Sequence, residues 1–208
     1  MIARSDRRWQ PRYFRRLIWI AGFLLAATLA GCGQGAAKFR ASDITGASFG
    51  RDFDLTDHNG QRQTLADFRG KVVVLFFGYT HCPDVCPTTL AELAQAMKQL
   101  GDDAPRVQVL FITVDPERDS ADLLMHYVPA FNPAFLGLRG DPDATARVTR
   151  EFKVLAQKQP GATPGSYTVD HSAGTFIFDP QGRLRLYVAF GQEPAVFAHD
   201  IRVLLDAG

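Results

Sequence analysis

Cys82 and Cys86 stand four residues apart in the stretch FFGYTHCPDVCPTTL, residues 76–90. They fall between an apolar run and a helical pattern. That is a strand-to-helix junction, where an α/β sheet presents ligands beyond the carboxyl end of a strand. With Cys82 near the helix start and Cys86 one turn on, the spacing puts both sulfurs on one face, their Cβ atoms roughly 5–6 Å apart. Helix N-terminal amides favour a thiolate and lower its pKa. Two adjacent thiolates are soft donors that suit Cu(I). The same pair can close to a disulfide if the helix start unwinds, because the Cβ separation must then fall to about 3.8 Å. Spacing alone leaves both chemistries open.

A third group lies far downstream, in YTVDHSAGTFIFDP, residues 167–180. His171 comes a few residues before a predicted core strand, where thioredoxin-like reductases carry a proline facing their cysteines. Here that place reads His171-Ser172-Ala173-Gly174, without proline, which argues against general disulfide exchange. Two thiolates and one imidazole make a trigonal Cu(I) site, or most of a Cu(II) site. The plainer role for a lone histidine is a surface or capping residue. Asp84 and Asp170 are placed to orient a ligand or add negative charge, and equally to cap and turn the chain. His81 adjoins Cys82 and packs or tunes the site. His58, in a turn, is expected to be solvated, and His126 and His199 to sit on helix surfaces. Met97 and Met125 read as core at helical spacing. Asp115-Pro116 reads as the end of a strand.

The elements that position these residues follow from periodicity. DFDLTDHNGQRQTLADF is a hairpin around Asn59-Gly60. KVVVLFFGY and RVQVLFITVD are continuous β-branched and aromatic runs, hence strands buried on both faces. TTLAELAQAMKQL places Leu90, Leu93, Met97 and Leu100 on one helical stripe. Short helices begin after Ser120 and after Asp141. GTFIFDPQGRLRLYVAF is a strand pair around Asp179-Pro180-Gln181-Gly182, and Pro194 opens a closing helix. A βαβ unit followed by a hairpin and a helix is the thioredoxin-like arrangement: α/β, a central mixed sheet flanked by helices, with an extra N-terminal β-hairpin.

The N-terminus differs in kind. Residues 1–16 carry six arginines and one acid, and an uncharged apolar run of 14 residues follows, Leu17–Ala30. A membrane span needs about 20, so residues 1–31 read as a signal peptide. The run ends in LAGC, which resembles the lipobox of bacterial lipoproteins. The expectation is that Cys32 is lipidated and becomes the mature N-terminus, with residues 32–47 a flexible tether and 48–208 the domain. Lipid anchoring on the periplasmic side of a bacterial membrane follows. Without residues 1–31 the basic count falls from 23 to 17 and the acidic count from 22 to 21, a net charge of −4. No basic stripe or basic–aromatic interleaving points to nucleic acid. Of three cysteines, the two left after Cys32 are the pair at the junction.

FFGYTHCPDVCPTTL, FITVDPERDS, FNPAFLGLRG and VDHSAGTFIFDPQG together resemble the Sco/SenC family of copper-binding proteins, over roughly residues 48–206. The resemblance implies a membrane-tethered, thioredoxin-like protein that binds one copper through Cys82, Cys86 and His171. It implies help in assembling the dinuclear copper centre of cytochrome c oxidase, by delivering copper to the copper-site subunit, by reducing that subunit's cysteines, or both. A metallochaperone rather than an enzyme is expected, with a dedicated thiol–disulfide reductase or a copper or redox sensor as alternatives. Other copper chaperones and a thioredoxin-like reductant are the further partners implied. GATPGSYTVD, residues 161–170, looks like the family's insertion before the histidine, expected as a mobile loop that brings His171 in when metal binds.

Overall fold

The computed structural model describes residues 38–207. The expected signal peptide, Cys32 and the first part of the expected tether lie outside the described residues. Two parallel strands form the centre: β4 (Val72–Gly78) and β5 (Val107–Thr113), every residue of both buried. Their unbroken β-branched and aromatic sequences fit a position with helices on both faces. Around them the eight-stranded sheet runs in the order β1-β10-β9-β4-β5-β6-β2-β3. The remaining members are β1 (Ser42–Asp43), the hairpin β2 (Asp54–Asp57) and β3 (Arg62–Thr64), β6 (Leu136–Arg139), β9 (Thr175–Phe178) and β10 (Leu184–Val188). β6 is parallel to β5, whereas β9 is antiparallel to β4, so the sheet is mixed as expected.

Among the described residues four α-helices flank it: α1 (Val85–Leu100), α2 (Ala121–Tyr127), α3 (Pro142–Glu151) and α4 (Pro194–Asp206). The α1 stripe is buried at Leu90, Leu93, Met97 and Leu100. α2 and α3 start where expected, with the Ser120 and Asp141 side chains accepting from Leu123 N–H and Ala144 N–H. This is the thioredoxin-like fold. Among the described residues no helix is long and apolar enough to cross a membrane.

The structure departs from the sequence reading in several places. Residues 38–47 do not hang free: β1 pairs with β10, and the Asp200 carboxylate accepts from Arg40 N–H and Ala41 N–H at 2.8–3.1 Å. β6 was not foreseen, because LGLR is short and half apolar. The insertion before the histidine is a paired hairpin rather than an irregular loop, β7 (Ala156–Pro160) with β8 (Tyr167–His171), closed by a tip at 161–166. Met125 is exposed, because α2 buries only Leu124. His58 is buried: its Nδ1 accepts the Gly137 N–H at 3.0 Å while its own N–H donates to the Gly137 carbonyl.

Candidate metal centre

Two elements of different kind bring the three predicted residues together. β4 ends at Gly78, and the chain turns through Tyr79–Asp84 into α1. Cys86 is the second residue of α1 and is fully buried; Cys82 precedes the helix and is partly exposed. Cys82 thus lies in the turn rather than in the helix. The Cys86 N–H points at the Cys82 sulfur at 3.4 Å, as an amide at a helix start does when a soft acceptor faces it. His171 arrives from the other side at the end of β8, its Nε2 3.4 Å from the Cys86 sulfur. The two sulfurs and a ring nitrogen lie within 4.8 Å of one another.

The imidazole is oriented by its own backbone neighbour. Nδ1 lies 3.0 Å from the Ser172 carbonyl oxygen, which can only accept, so the proton belongs on Nδ1 and the Nε2 lone pair faces the sulfurs. Tyr79 and Phe76 hold the ring edge-on, with centroids 5.8 and 6.3 Å away. Asp170 is exposed and bears on the ring through its charge. Asp84 stands at the start of α1, where the Thr88 hydroxyl reaches its Oδ1 at 3.4 Å. His81 is half-exposed, and its Nδ1 contacts the Thr80 hydroxyl at 3.0 Å.

Burial dominates the electrostatics. It pushes the Cys86 thiol well above its ordinary pKa, opposed by the Tyr79 backbone amide. That is the reverse of the lowering expected from a helix start, because the residue is fully buried, out of reach of water. Burial likewise depresses the His171 imidazole, against the Ser172 bond and the Asp170 charge, so the ring is neutral and free to donate its lone pair. A cleft of about 310 Å³, lined by Tyr79, Cys82, Val85, Val169 and His171 among others, opens onto the site. Cys82 faces it, and Cys86 lies behind.

Sequence reading missed two contributors. Asp119 is fully buried and accepts from the Thr80 backbone and hydroxyl and from the Thr113 hydroxyl, bracing the cysteine turn from beneath. Tyr127 packs at a tilt against Phe111, and its hydroxyl is buried with no partner among the described residues. Neither carries a local signal: an acid after an arginine and a tyrosine on a short helix look like surface until the fold is closed.

The SCO1/SenC family model matches residues 41–206, from the first sheet strand to the last helix. The chain belongs to the SCO1/SenC family. Among its relatives, the mitochondrial SCO2 homolog of Mus musculus is 35% identical over 96% of this chain and 84% of its own length. The solved structure of ScoI from Bradyrhizobium japonicum, with copper bound, is 40% identical at a TM-score of 0.70, covering 76% of this chain and 100% of that one. The solution structure of apo Sco1 from Thermus thermophilus is 41% identical at a TM-score of 0.68, covering 83% of this chain and 98% of that one.

Proposed function

We propose that this SCO1/SenC member binds one copper ion between Cys82, Cys86 and His171 and delivers it to the copper-site subunit of cytochrome c oxidase. The observation that carries the reading is the convergence of two sulfurs and a lone-pair-bearing imidazole nitrogen within 4.8 Å, at the mouth of a cleft. The donor set fits the cargo: two thiolates and an imidazole satisfy Cu(I) without a fourth ligand. A fully buried thiol and a neutral imidazole hold a soft ion away from water, and the exposed Cys82 edge is where an incoming thiolate can displace a ligand. Copper-bound relatives such as the Bradyrhizobium protein support the choice of metal.

Both thiols must lose their protons to bind, so loading releases protons and affinity rises with pH, by about tenfold per pH unit for each proton released. The finer placement belongs to the same proposal. Cys32 carries a lipid, and the domain works on the periplasmic side of a bacterial membrane. The supports are the LAGC stretch and the short apolar run before it.

A second reading, a dedicated thiol–disulfide reductase of the oxidase cysteines, is favoured by one feature. Cys82 is accessible while Cys86 is buried behind it, the layout of an attacking and a resolving thiol. In that role the dithiol would close to a disulfide and pass two electrons to the partner's disulfide. The deciding measurement is X-ray absorption on the full chain in detergent, reduced and loaded anaerobically with Cu(I). One copper with two sulfurs and one nitrogen is expected, and His171→Ala is expected to lose the nitrogen while keeping dithiol exchange. No retained copper, with a readily cycled Cys82–Cys86 disulfide, would overturn delivery in favour of reduction.

A further inference from the structure

The stretch VDPERDS does more than end β5. Its turn, Asp115–Asp119, touches both halves of the site. Toward the cysteines, Asp119 accepts from the Thr80 amide at 3.1 Å and the Thr80 hydroxyl at 2.6 Å, two residues before Cys82. Toward the histidine, Arg118 reaches into the β7–β8 hairpin. Its Nη1 donates to the Tyr167 carbonyl at 2.9 Å, and its guanidinium lies 3.6 Å from the centre of the Tyr167 ring. The Tyr167 hydroxyl donates to Asp115 Oδ1 at 2.8 Å, while the Arg118 Nε donates to the other oxygen of the same carboxylate. Asp115 has no exposed side-chain surface, so this is a desolvated, charge-assisted knot rather than a surface ion pair.

The knot matters because of where the hairpin sits. Neither β7 nor β8 joins the eight-stranded sheet. The ladder that fixes β4 and β5 therefore reaches His171 only indirectly, through the Phe76 ring and the short link to β9. Besides the knot, the hairpin meets the body through the Val169 N–H on the Tyr79 hydroxyl at 3.2 Å, the Lys158–Glu117 ion pair at 2.6 Å, the buried Val169 side chain, and the His171 ring against Tyr79 and Phe76. The turn itself is pinned by Arg139, whose Nε and Nη2 donate to the Asp119 and Pro116 carbonyls at 3.2 Å. Arg118 also holds its Nη2 buried without a partner among the described residues, an arrangement that costs stability and that a free surface arginine would avoid.

We infer that the Asp115–Asp119 turn sets the separation between the imidazole and the thiols, with Arg118 and Tyr167 as positioning residues for His171. The inference rests on the reading of His171 as a copper ligand. It assigns to Arg118 no contact with the ion. The guanidinium acts four residues away along β8, by fixing the strand on which the imidazole is carried.

Two measurements on the full chain in detergent test this separately from the copper reading. The first needs no metal. In Arg118→Met, amide hydrogen exchange across residues 156–171 should speed up on the order of tenfold, with the β4 and β5 amides unchanged. The second is Cu(I) competition against a chromogenic chelator in wild type, Arg118→Met, His171→Ala and the double variant. Arg118→Met should weaken binding on the order of tenfold, and it should weaken nothing further once His171 is gone. Unchanged exchange in the hairpin overturns the inference. An equal loss in the His171→Ala background overturns it too, because the turn would then act through the cysteines or through stability at large. If His171→Ala alone leaves affinity intact, the ligand reading fails and the exchange result judges the turn by itself. Should Arg118→Met not fold, Tyr167→Phe removes one hydroxyl, keeps the stacked ring, and must show the same pattern at smaller size.

Discussion

Cys86 reaches the metal centre from a helix seated on seven consecutive buried strand residues, whereas His171 reaches it from a hairpin that shares no ladder with that sheet. The thiol is placed by the core, through packing that cannot be changed without changing the fold. The imidazole is placed by a hairpin outside the sheet, through the polar contacts of one turn together with the buried Val169 and the rings of Tyr79 and Phe76. A site built this way has a fixed half and an adjustable half. On the proposed delivery reading, two sulfurs would keep hold of a soft ion while the nitrogen is released, as ligand-by-ligand transfer requires.

The sharpest way to break this comparison is to remove the fixed half. Cys86→Ser should reduce Cu(I) retention to background in chelator competition, because it deletes the enclosed donor and leaves one thiol and an imidazole. Retention within tenfold of wild type would mean that the core-seated sulfur is not the anchor. Next in size is Gly78→Ala. An added Cβ there would lie 2.7 Å from the Phe111 ring and 2.9 Å from the Cys86 sulfur, both packed on all sides. Overpacking of this kind costs about 1–3 kcal/mol. Chemical denaturation should show the loss across the whole domain, with the copper site disturbed from beneath.

The matching change in the adjustable half is Gly165→Ala at the hairpin tip. Gly165 has φ of +79° with open space around it, so the added methyl meets no neighbour and the cost is backbone strain alone. That strain is about 1–2 kcal/mol. Because the hairpin stands outside the sheet, the cost should appear as faster local exchange over residues 156–171, with the denaturation midpoint nearly unmoved. An equal shift in global stability from Gly78→Ala and Gly165→Ala would erase the distinction between the two halves.

The same contrast governs what could be read from sequence. The fixed half was legible because it obeys apolar rules. VVVLFFG and VQVLFIT can only be buried strands, and the stripe from Leu90 to Leu100 can only face them. The junction that places both cysteines followed directly. The adjustable half obeys pairing rules instead. AQKQP is almost wholly exposed and has no apolar period, so β7 exists only because β8 satisfies its backbone. Asp115-Pro116 reads as the end of a strand, and Arg118 and Asp119 carry no local signal of their own. Their role depends on Tyr167, about fifty positions later, and no local pattern predicts that meeting. The lowered thiol pKa expected of a helix start failed for a related reason: the fold buries Cys86 completely in the core, and burial raises the pKa instead. Met125 shows the opposite error, a helical spacing read as core on a helix too short to bury more than one residue.

A last and smaller effect separates the two halves by pH. Burial lowers the pKa of both His58 and His171 below the ordinary 6.5. For a histidine with a depressed folded pKa, the unfolded chain takes up the proton first as pH falls. Stability is then complete above about 6.5 and declines below it until the folded pKa is reached. His58 lies in the body, and its Nδ1 is already engaged as acceptor to the Gly137 N–H at 3.0 Å, so protonation there must be resisted by the whole fold. His171 is carried by the hairpin outside the sheet and lines the cleft, so its protonation is expected to open the hairpin locally rather than to unfold the sheet. Global stability of the metal-free chain should therefore fall below about pH 6.5. That fall should be lost in His58→Gln, while His171→Ala leaves it in place and removes only the acid-induced rise in hairpin exchange. Denaturant titrations at a series of pH values, read alongside local exchange rates, check both. If His171→Ala flattened the global profile as fully as His58→Gln, the hairpin would have to unfold together with the sheet, and the adjustable half would be no more free than the fixed one.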